Sequence, residues 1–292
     1  MRFAAWLVLF ATLLLWSGNW IVARAVRADI APGVATMGRL LIVLAILLPF
    51  TWAPLKSHLK KLTARDWKIL AGLGFAGGGI HLALQWLGLH YTTATSAMLY
   101  LSTSPIFILF AAPIFGERIS ARRWAGVLVS FAGIATIAAQ GQLERLATLS
   151  FNRGDLMALA SMMLWAAYTV LLRLRRDPLT TLELIVTVCA FGVLFMAPWV
   201  AVELFLGTAT RLSPAGAAAV AYSAVGSLLL AYAGWSYVVT RLGAARAGVT
   251  MHLMPALGII LSALFLGEFP EWYHFAGIGL ILAGVALSTW RR

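Results

Sequence analysis

Acidic residues are scarce. The 292 residues hold ten Asp and Glu against 22 Lys and Arg. All ten (Asp29, Asp66, Glu117, Glu144, Asp155, Asp177, Glu183, Glu203, Glu268 and Glu271) fall near the ends of apolar runs. A mechanism that keeps a carboxylate deep in such a run, as proton carrier and cation ligand, is excluded. Cysteine is nearly absent too. Cys189 stands alone in an apolar stretch, so no disulfide within the chain and no multi-cysteine metal site can form. Charged residues make up only 11% of the chain and hydrophobic ones 62%, with a mean hydropathy of +0.90. A soluble domain of this length could not hide so much apolar surface, so lipid is its solvent. The net charge of +12 is therefore read by position along the chain and not as a nucleic-acid footprint. The H-E-x-x-H, G-x-S-x-G, phosphate-loop and dinucleotide patterns are missing, and nothing points to a cofactor, a metal or a catalytic set.

What the chain does have is long apolar runs. A membrane-spanning helix takes about 20 mostly apolar residues. Ten runs qualify, at 4–24, 33–53, 67–89, 94–115, 122–140, 154–173, 181–205, 213–240, 246–266 and 273–290. The breaks between them carry proline, glycine and charge, and none has room for a soluble domain. The longest inner break, around Pro54–Asp66, holds Lys56, Lys60, Lys61 and Arg65. The first run resembles a secretory signal, with Ala23-Arg24-Ala25 as a cleavage match. Its counterpart later in the chain favours a retained helix.

That counterpart belongs to a duplication. Residues 94–137 return at 244–288 with the same marks in the same order. Pro105 matches Pro255, Gly116-Glu117 matches Gly267-Glu268, and Gly126 and Gly133 match Gly277 and Gly284. More weakly, Trp16, Asn19 and Arg24 match Trp165, Tyr168 and Arg173 at a constant offset of 149. The chain therefore divides into 1–147 and 150–292, each with five helices. Five is odd, so the two copies cross the membrane in opposite senses and form an inverted-topology repeat. The fold expected is an all-α membrane protein of ten transmembrane helices in two inverted five-helix repeats.

Lys and Arg set the orientation. With the N-terminus in the cytoplasm, most of the 22 gather on the inner side, and only Arg24, Arg27, Arg145, Arg153 and Arg211 fall outside. Both termini are expected in the cytoplasm. Trp6, Trp52, Trp67, Trp124, Trp272 and Trp290 fall near helix ends, as an interfacial belt requires.

Ten helices in two halves, each closing with proline, Gly-Glu, eight residues, glycine, six residues and glycine, resemble the drug/metabolite transporter superfamily, and within it the EamA-type exporters. The balance of residues is similar to the aromatic amino-acid exporters of the YddG type. The resemblance covers essentially the whole chain. It implies export of small metabolites or toxic compounds across a bacterial inner membrane, through a central cavity lined by helices 1, 3, 4, 6, 8 and 9.

The residues lead to the same region. Polar and aromatic groups deep in apolar helices face a protein interior or a wet cavity. The residues expected to bind substrate are Trp16, Asn19, His81, Gln85, Tyr100, Trp165, Tyr168, Tyr232, Trp235, Thr250 and His252. His81 and Gln85 share one helix face, as do Trp16 and Asn19, and Trp165 and Tyr168. Trp16 and Trp165 lie too deep for belt tryptophans and would meet across the pseudo-two-fold axis. The plainer readings are packing for the tryptophans, interhelical bonding for the histidines and backbone bonding for Thr250. Arg39 is expected to snorkel outward as a structural residue. Glu117 and Glu268 read as helix caps, with Ser120 and Pro270 as helix starts. Pro105 and Pro255, with Gly77, Gly78 and Gly226, are the expected hinges. The glycine pairs of the fifth and tenth helices read as packing faces, against each other or a second subunit. The expected partners are a small-molecule substrate and the bilayer, without nucleic acid. Transport is either uncoupled or weakly coupled through His81 or His252. An intramembrane enzyme has no use for the duplication. A channel would be told apart by unsaturable flux. Nucleotide-sugar export lacks the basic residues a diphosphate needs.

Overall fold

The computed structural model describes residues 2–26, 29–91, 103–115, 119–142, 144–147, 152–208, 213–266 and 270–289. Among these every regular element is a helix. The chain opens with α1 (Arg2–Ala25) and α2 (Pro32–Leu59). Next, α3 (Ala64–Leu73) runs through a π-helical stretch, Gly74–Gly79, into α4 (Ile80–Tyr91). Then come α5 (Ser104–Ala111) with a 3-10 turn at Ala112–Phe115, α6 (Ala121–Ala138) and the short α7 (Glu144–Ala147). The second half begins with α8 (Arg153–Leu174) and α9 (Thr181–Phe205). α10 (Pro214–Tyr222) runs through a second π-helical stretch, Ser223–Leu230, into α11 (Ala231–Leu242). α12 (Ala244–Thr250), α13 (Leu253–Leu266) and α14 (Trp272–Thr289) complete it.

Among the described residues, seven helical rods are long and apolar enough to cross a membrane: Phe3–Ala23, Pro32–Leu59, Ala64–Gly88, Arg153–Leu174, Thr181–Phe205, Pro214–Leu242 and Ala244–Leu261. Trp272–Ser288 is a shorter apolar helix. Their outer faces are apolar: Phe3, Phe50, Phe110 and Phe205 are all exposed, Phe205 by 90%. Such a surface suits lipid and would aggregate in water. Trp6, Trp52, Trp67 and Trp272 are also exposed near helix ends, and Trp290 lies outside the described residues.

The acids explain where several helices begin. Thr63 and Asp66, Asn152 and Asp155, and Thr180 and Glu183 form reciprocal capping boxes at the starts of α3, α8 and α9. Ser120 caps α6 by accepting from the Arg123 N–H. The start of α2 is capped from afar. Both Glu203 carboxylate oxygens, at the far end of α9, accept from the Gly33 and Val34 N–H groups at 2.9 and 3.0 Å. Glu117 and Glu268, expected as caps, lie outside the described residues.

Two boundaries differ from expectation. The break expected at Pro54 is helical, and α2 continues to Leu59. One proline removes one backbone hydrogen bond. Leu55 is buried beyond it, and His58 Nδ1 lies 3.0 Å from Glu183 Oε1 on α9, so packing and a hydrogen bond hold the extension. The run expected at 246–266 is broken at Met251-His252, between α12 and α13. Pro255 has no N–H to give the Met251 carbonyl, and that carbonyl takes the Met254 N–H instead, in a tighter turn.

Elements of the first half pack chiefly on elements of the second. α2 lies on α9, α4 on α8, α1 on α11 and α13, and α6 along α14. The contact between α6 and α14 is built from small residues. A Cβ on Gly133 would come within 2.9 Å of the Ile281 nitrogen, and Ser130 Oγ donates to the Ile281 carbonyl at 3.3 Å. With lipid as solvent such close approach, rather than expulsion of water, holds helices together. The glycine faces are thus used against each other.

Candidate functional site

At the centre of the packed helices five aromatic rings meet. Trp16 on α1 stands edge-on to Trp165 on α8, with centroids 5.0 Å apart. Tyr168, one turn along α8, stacks on Trp165 at 5.0 Å. Tyr232 and Trp235 on α11 close the group, 5.3 and 5.7 Å from Trp165. These are the separations at which ring quadrupoles attract, worth about 0.5–1.5 kcal/mol a pair beyond burial.

Four of the five rings direct their polar atom to a partner. Trp16 Nε1 donates to the Ser227 carbonyl at 3.0 Å, and the Tyr232 hydroxyl donates to the Gly77 carbonyl at 2.7 Å. Both acceptors lie in the π-helical stretches. A carbonyl oxygen has two lone pairs, and here each of these carbonyls accepts a bond from a ring on another helix. Trp165 Nε1 points to Met251 Sδ at 3.3 Å, at the break between α12 and α13. Trp235 Nε1 donates to Thr169 Oγ1 at 3.3 Å.

A cavity of about 40 Å³ lies against this cluster. It is lined by Trp16, Asn19, Trp20, His81, Leu82, Gln85, Met162, Trp165, Ser227, Tyr232, Met251, Met254 and Pro255. That volume holds a few waters and is too small for an amino acid. Its polar groups are held from the wall. Asn19 Oδ1 accepts from Ser223 Oγ at 2.6 Å. His81 Nδ1 lies 2.8 Å from the Ser161 carbonyl, and Ser161 Oγ donates to the His81 carbonyl at 3.1 Å. His81 therefore ties α4 to α8 and faces the cavity as well. No acidic side chain is among the lining residues described.

Of the residues expected at the site, Trp16, Asn19, His81, Gln85, Trp165 and Tyr232 line the cavity, and the expected hinge Pro255 joins them. Tyr168 and Trp235 form the layer behind the rings. Thr250 and His252 are fully buried but away from the lining, and Thr250 Oγ1 donates back to the Ala247 carbonyl at 2.6 Å. Tyr100 lies outside the described residues. Gly77 and Gly78 fall in the first π-helical stretch and Gly226 in the second. Pro105 stands in the first turn of α5, after residues that are not described, so no mid-helix kink is seen there.

Leu82, Met162, Ser227, Met251 and Met254 line the cavity without having been expected there, and Trp20 joins them from the face that the spacing gives it with Trp16 and Asn19. A methionine in an apolar helix gives no signal of its own. Arg39 does not snorkel. It is 1% exposed, donates from Nη2 to Thr36 Oγ1 at 3.0 Å and to the Leu82 carbonyl at 3.3 Å, and lies over the Trp86 ring at 5.2 Å. Partners one turn back and on α4 replace the interface it would otherwise reach.

The EamA-like transporter family matches the chain twice, at residues 3–139 and 152–290. The chain belongs to the EamA-like transporter family. It is a multi-pass membrane transporter of the drug/metabolite superfamily and not an enzyme. An uncharacterized transporter of Archaeoglobus fulgidus is 30% identical over 97% of this chain and 96% of its own length. The transporter YyaM of Bacillus subtilis, also uncharacterized, is 28% identical over 85% of this chain and 80% of its own. A probable terminal-alkyne amino-acid exporter of Streptantibioticus cattleyicolor is 27% identical, covering 78% of this chain and 75% of its own. A solved crystal structure shares the fold with a TM-score of 0.77, 23% identity and coverage of 99% of this chain and 97% of that one.

Proposed function

We propose that this EamA-like transporter exports small metabolites from the cytoplasm across a bacterial inner membrane. The best-fitting cargo is aromatic or other hydrophobic amino acids and similar planar compounds. The observation that carries this reading is the ring cluster of Trp16, Trp165, Tyr168, Tyr232 and Trp235, with Asn19, His81 and Gln85 beside the same cavity. Flat apolar solutes gain from such walls, and the three polar side chains can meet amino and carboxylate groups. A small sugar would leave the rings unused. The relative named as a probable amino-acid exporter is in keeping with this class of cargo.

The contracted cavity is one stage of an alternating-access cycle in ten helices arranged as two inverted repeats, 1–147 and 150–292, with both termini cytoplasmic. Support comes from the double match to one family and from the packing. The contact of α4 with α8 has its counterpart, when the halves are exchanged, in that of α11 with α1. Paired π-helical stretches at Gly74–Gly79 and Ser223–Leu230 supply corresponding weak points. Gly77, Gly78, Pro105, Gly226 and Pro255 are the hinges. Transport is driven by the substrate gradient, or coupled weakly through His81 or His252.

The test is uptake into proteoliposomes containing only this protein, with labelled phenylalanine, tryptophan and alanine, with and without a pH gradient. Saturable flux favouring the aromatic solutes is expected. Flux of none of the three would move the cargo to drugs or other metabolites on the same fold, a reading that the adaptable Met162, Met251 and Met254 walls also suit.

A further inference from the structure

A second cavity, of about 360 Å³, opens at the other end of the bundle. Arg173 stands eight residues beyond Trp165 on α8, and Arg241 six beyond Trp235 on α11. At the helical rise of about 1.5 Å per residue, the pocket lies roughly 10 Å past the rings. Arg123 and Arg246 complete its basic lining, with Thr240 and Gly243 between. Gly243 has φ of 86°, a left-handed conformation that glycine adopts freely. It reverses the chain between α11 and α12, so that Arg241 and Arg246 serve one cavity.

Arg123, Arg241 and Arg246 line one cavity, and no acid is among the lining residues described. Among the described residues, Arg123, Arg241 and Arg246 have no carboxylate within ion-pair distance, whereas neighbouring Arg175 is paired with Asp177. Two ordinary explanations cover only part of this. A helix dipole favours cations in a last turn, which accounts for Arg173 and Arg241. Arg123 and Arg246 stand in the first turns of α6 and α12, where the dipole opposes them. Topology asks for positive charge on one face of the membrane, but loops could carry it dispersed. Gathering like charges around one cavity costs energy that a bound anion offsets.

We propose that this cavity binds a phosphate-bearing anion. Planar guanidinium forks match phosphate oxygens in pairs. A zwitterionic amino acid fits poorly, because its ammonium finds only cations, so the site is separate from the cargo chamber and its assignment does not rest on the cargo. At the membrane face the phosphate can come from a lipid headgroup or from solution.

The experiment is native mass spectrometry of the full chain in detergent, titrated separately with cardiolipin, phosphatidylcholine and inorganic pyrophosphate. Retention of cardiolipin or pyrophosphate is expected, weakened about tenfold or more in the Arg123→Gln/Arg246→Gln variant. A Lys60→Gln/Lys61→Gln variant removes equal charge elsewhere and should bind as the wild type does. Cardiolipin alone assigns the phosphate to the membrane, pyrophosphate alone to solution, and either upholds the site. Equal binding by wild type and the arginine variant, equal loss in the lysine variant, or no retention of either probe overturns it. Melting curves establish that each variant is folded, and Arg246→Gln alone is read the same way should the double variant not fold.

Discussion

Trp165 touches His81, Trp16, Tyr168, Tyr232 and Trp235, and its indole N–H reaches Met251. It is the residue through which cargo chemistry is best tested. Trp165→Ala should lower transport of phenylalanine and tryptophan by about tenfold or more, the worth of one or two ring contacts, and alanine transport far less. Paired flux measurements decide it, and equal losses for all three solutes would make Trp165 scaffold. Glu203 offers a stability test remote from the cavity. It accepts from two N–H groups at the start of α2 and from Trp199 Nε1 at 2.8 Å. Charged hydrogen bonds contribute about 1.5–3 kcal/mol each. Glu203→Ala should therefore cost at least about 2 kcal/mol, read as a lower Tm in detergent, with aromatic selectivity unchanged.

The two π-helical stretches differ in how tightly they are held. A Cβ at Gly77 would overlap the Tyr168 ring, whereas one at Gly226 meets nothing closer than Tyr222 Cε2 at 3.4 Å. Gly77→Ala should cost about 1–3 kcal/mol by overpacking and Gly226→Ala less than about 0.5 kcal/mol. Thermal unfolding of the two variants checks the difference, and equal effects would mean that the stretches are held alike. This level was partly legible in the sequence. Gly77 and Gly78, with Gly226 at the corresponding depth, marked both stretches as weak, and the run expected at 181–205 is α9 to the residue. The wider helical turn itself was not legible, because it comes from close packing against α9 and the rings of α8 and α11. Likewise Pro54 read as a stop, and the burial of Leu55 with the contact of His58 on Glu183 keeps α2 going. The facing of Trp16 and Trp165 was legible because duplication doubles a weak signal. Thr250 and His252 were not separable from the lining, since burial and exposure to a cavity look alike in an apolar helix.

For the molecule as a whole, Asp66, Asp155 and Glu183 sit in caps, Asp177 in an ion pair, and no described acid lines the central cavity. Flux through this protein alone should therefore follow the solute gradient. Imposing a pH gradient on proteoliposomes should change the final accumulation little. Uphill accumulation that survives replacement of both His81 and His252 would overturn this. A carbonyl in the π-helical stretch of each half accepts from a ring of the other: Ser227 from Trp16, and Gly77 from Tyr232. The two halves hold each other by reciprocal latches. A solute large enough to displace either ring uncovers an acceptor in an apolar interior, at about 1–3 kcal/mol, unless that helix rewinds to a regular turn. Rewinding rotates everything beyond the stretch. If the rings meet cargo as proposed, a solute that never reaches them leaves both bonds in place, and one bond then serves closure and recognition alike.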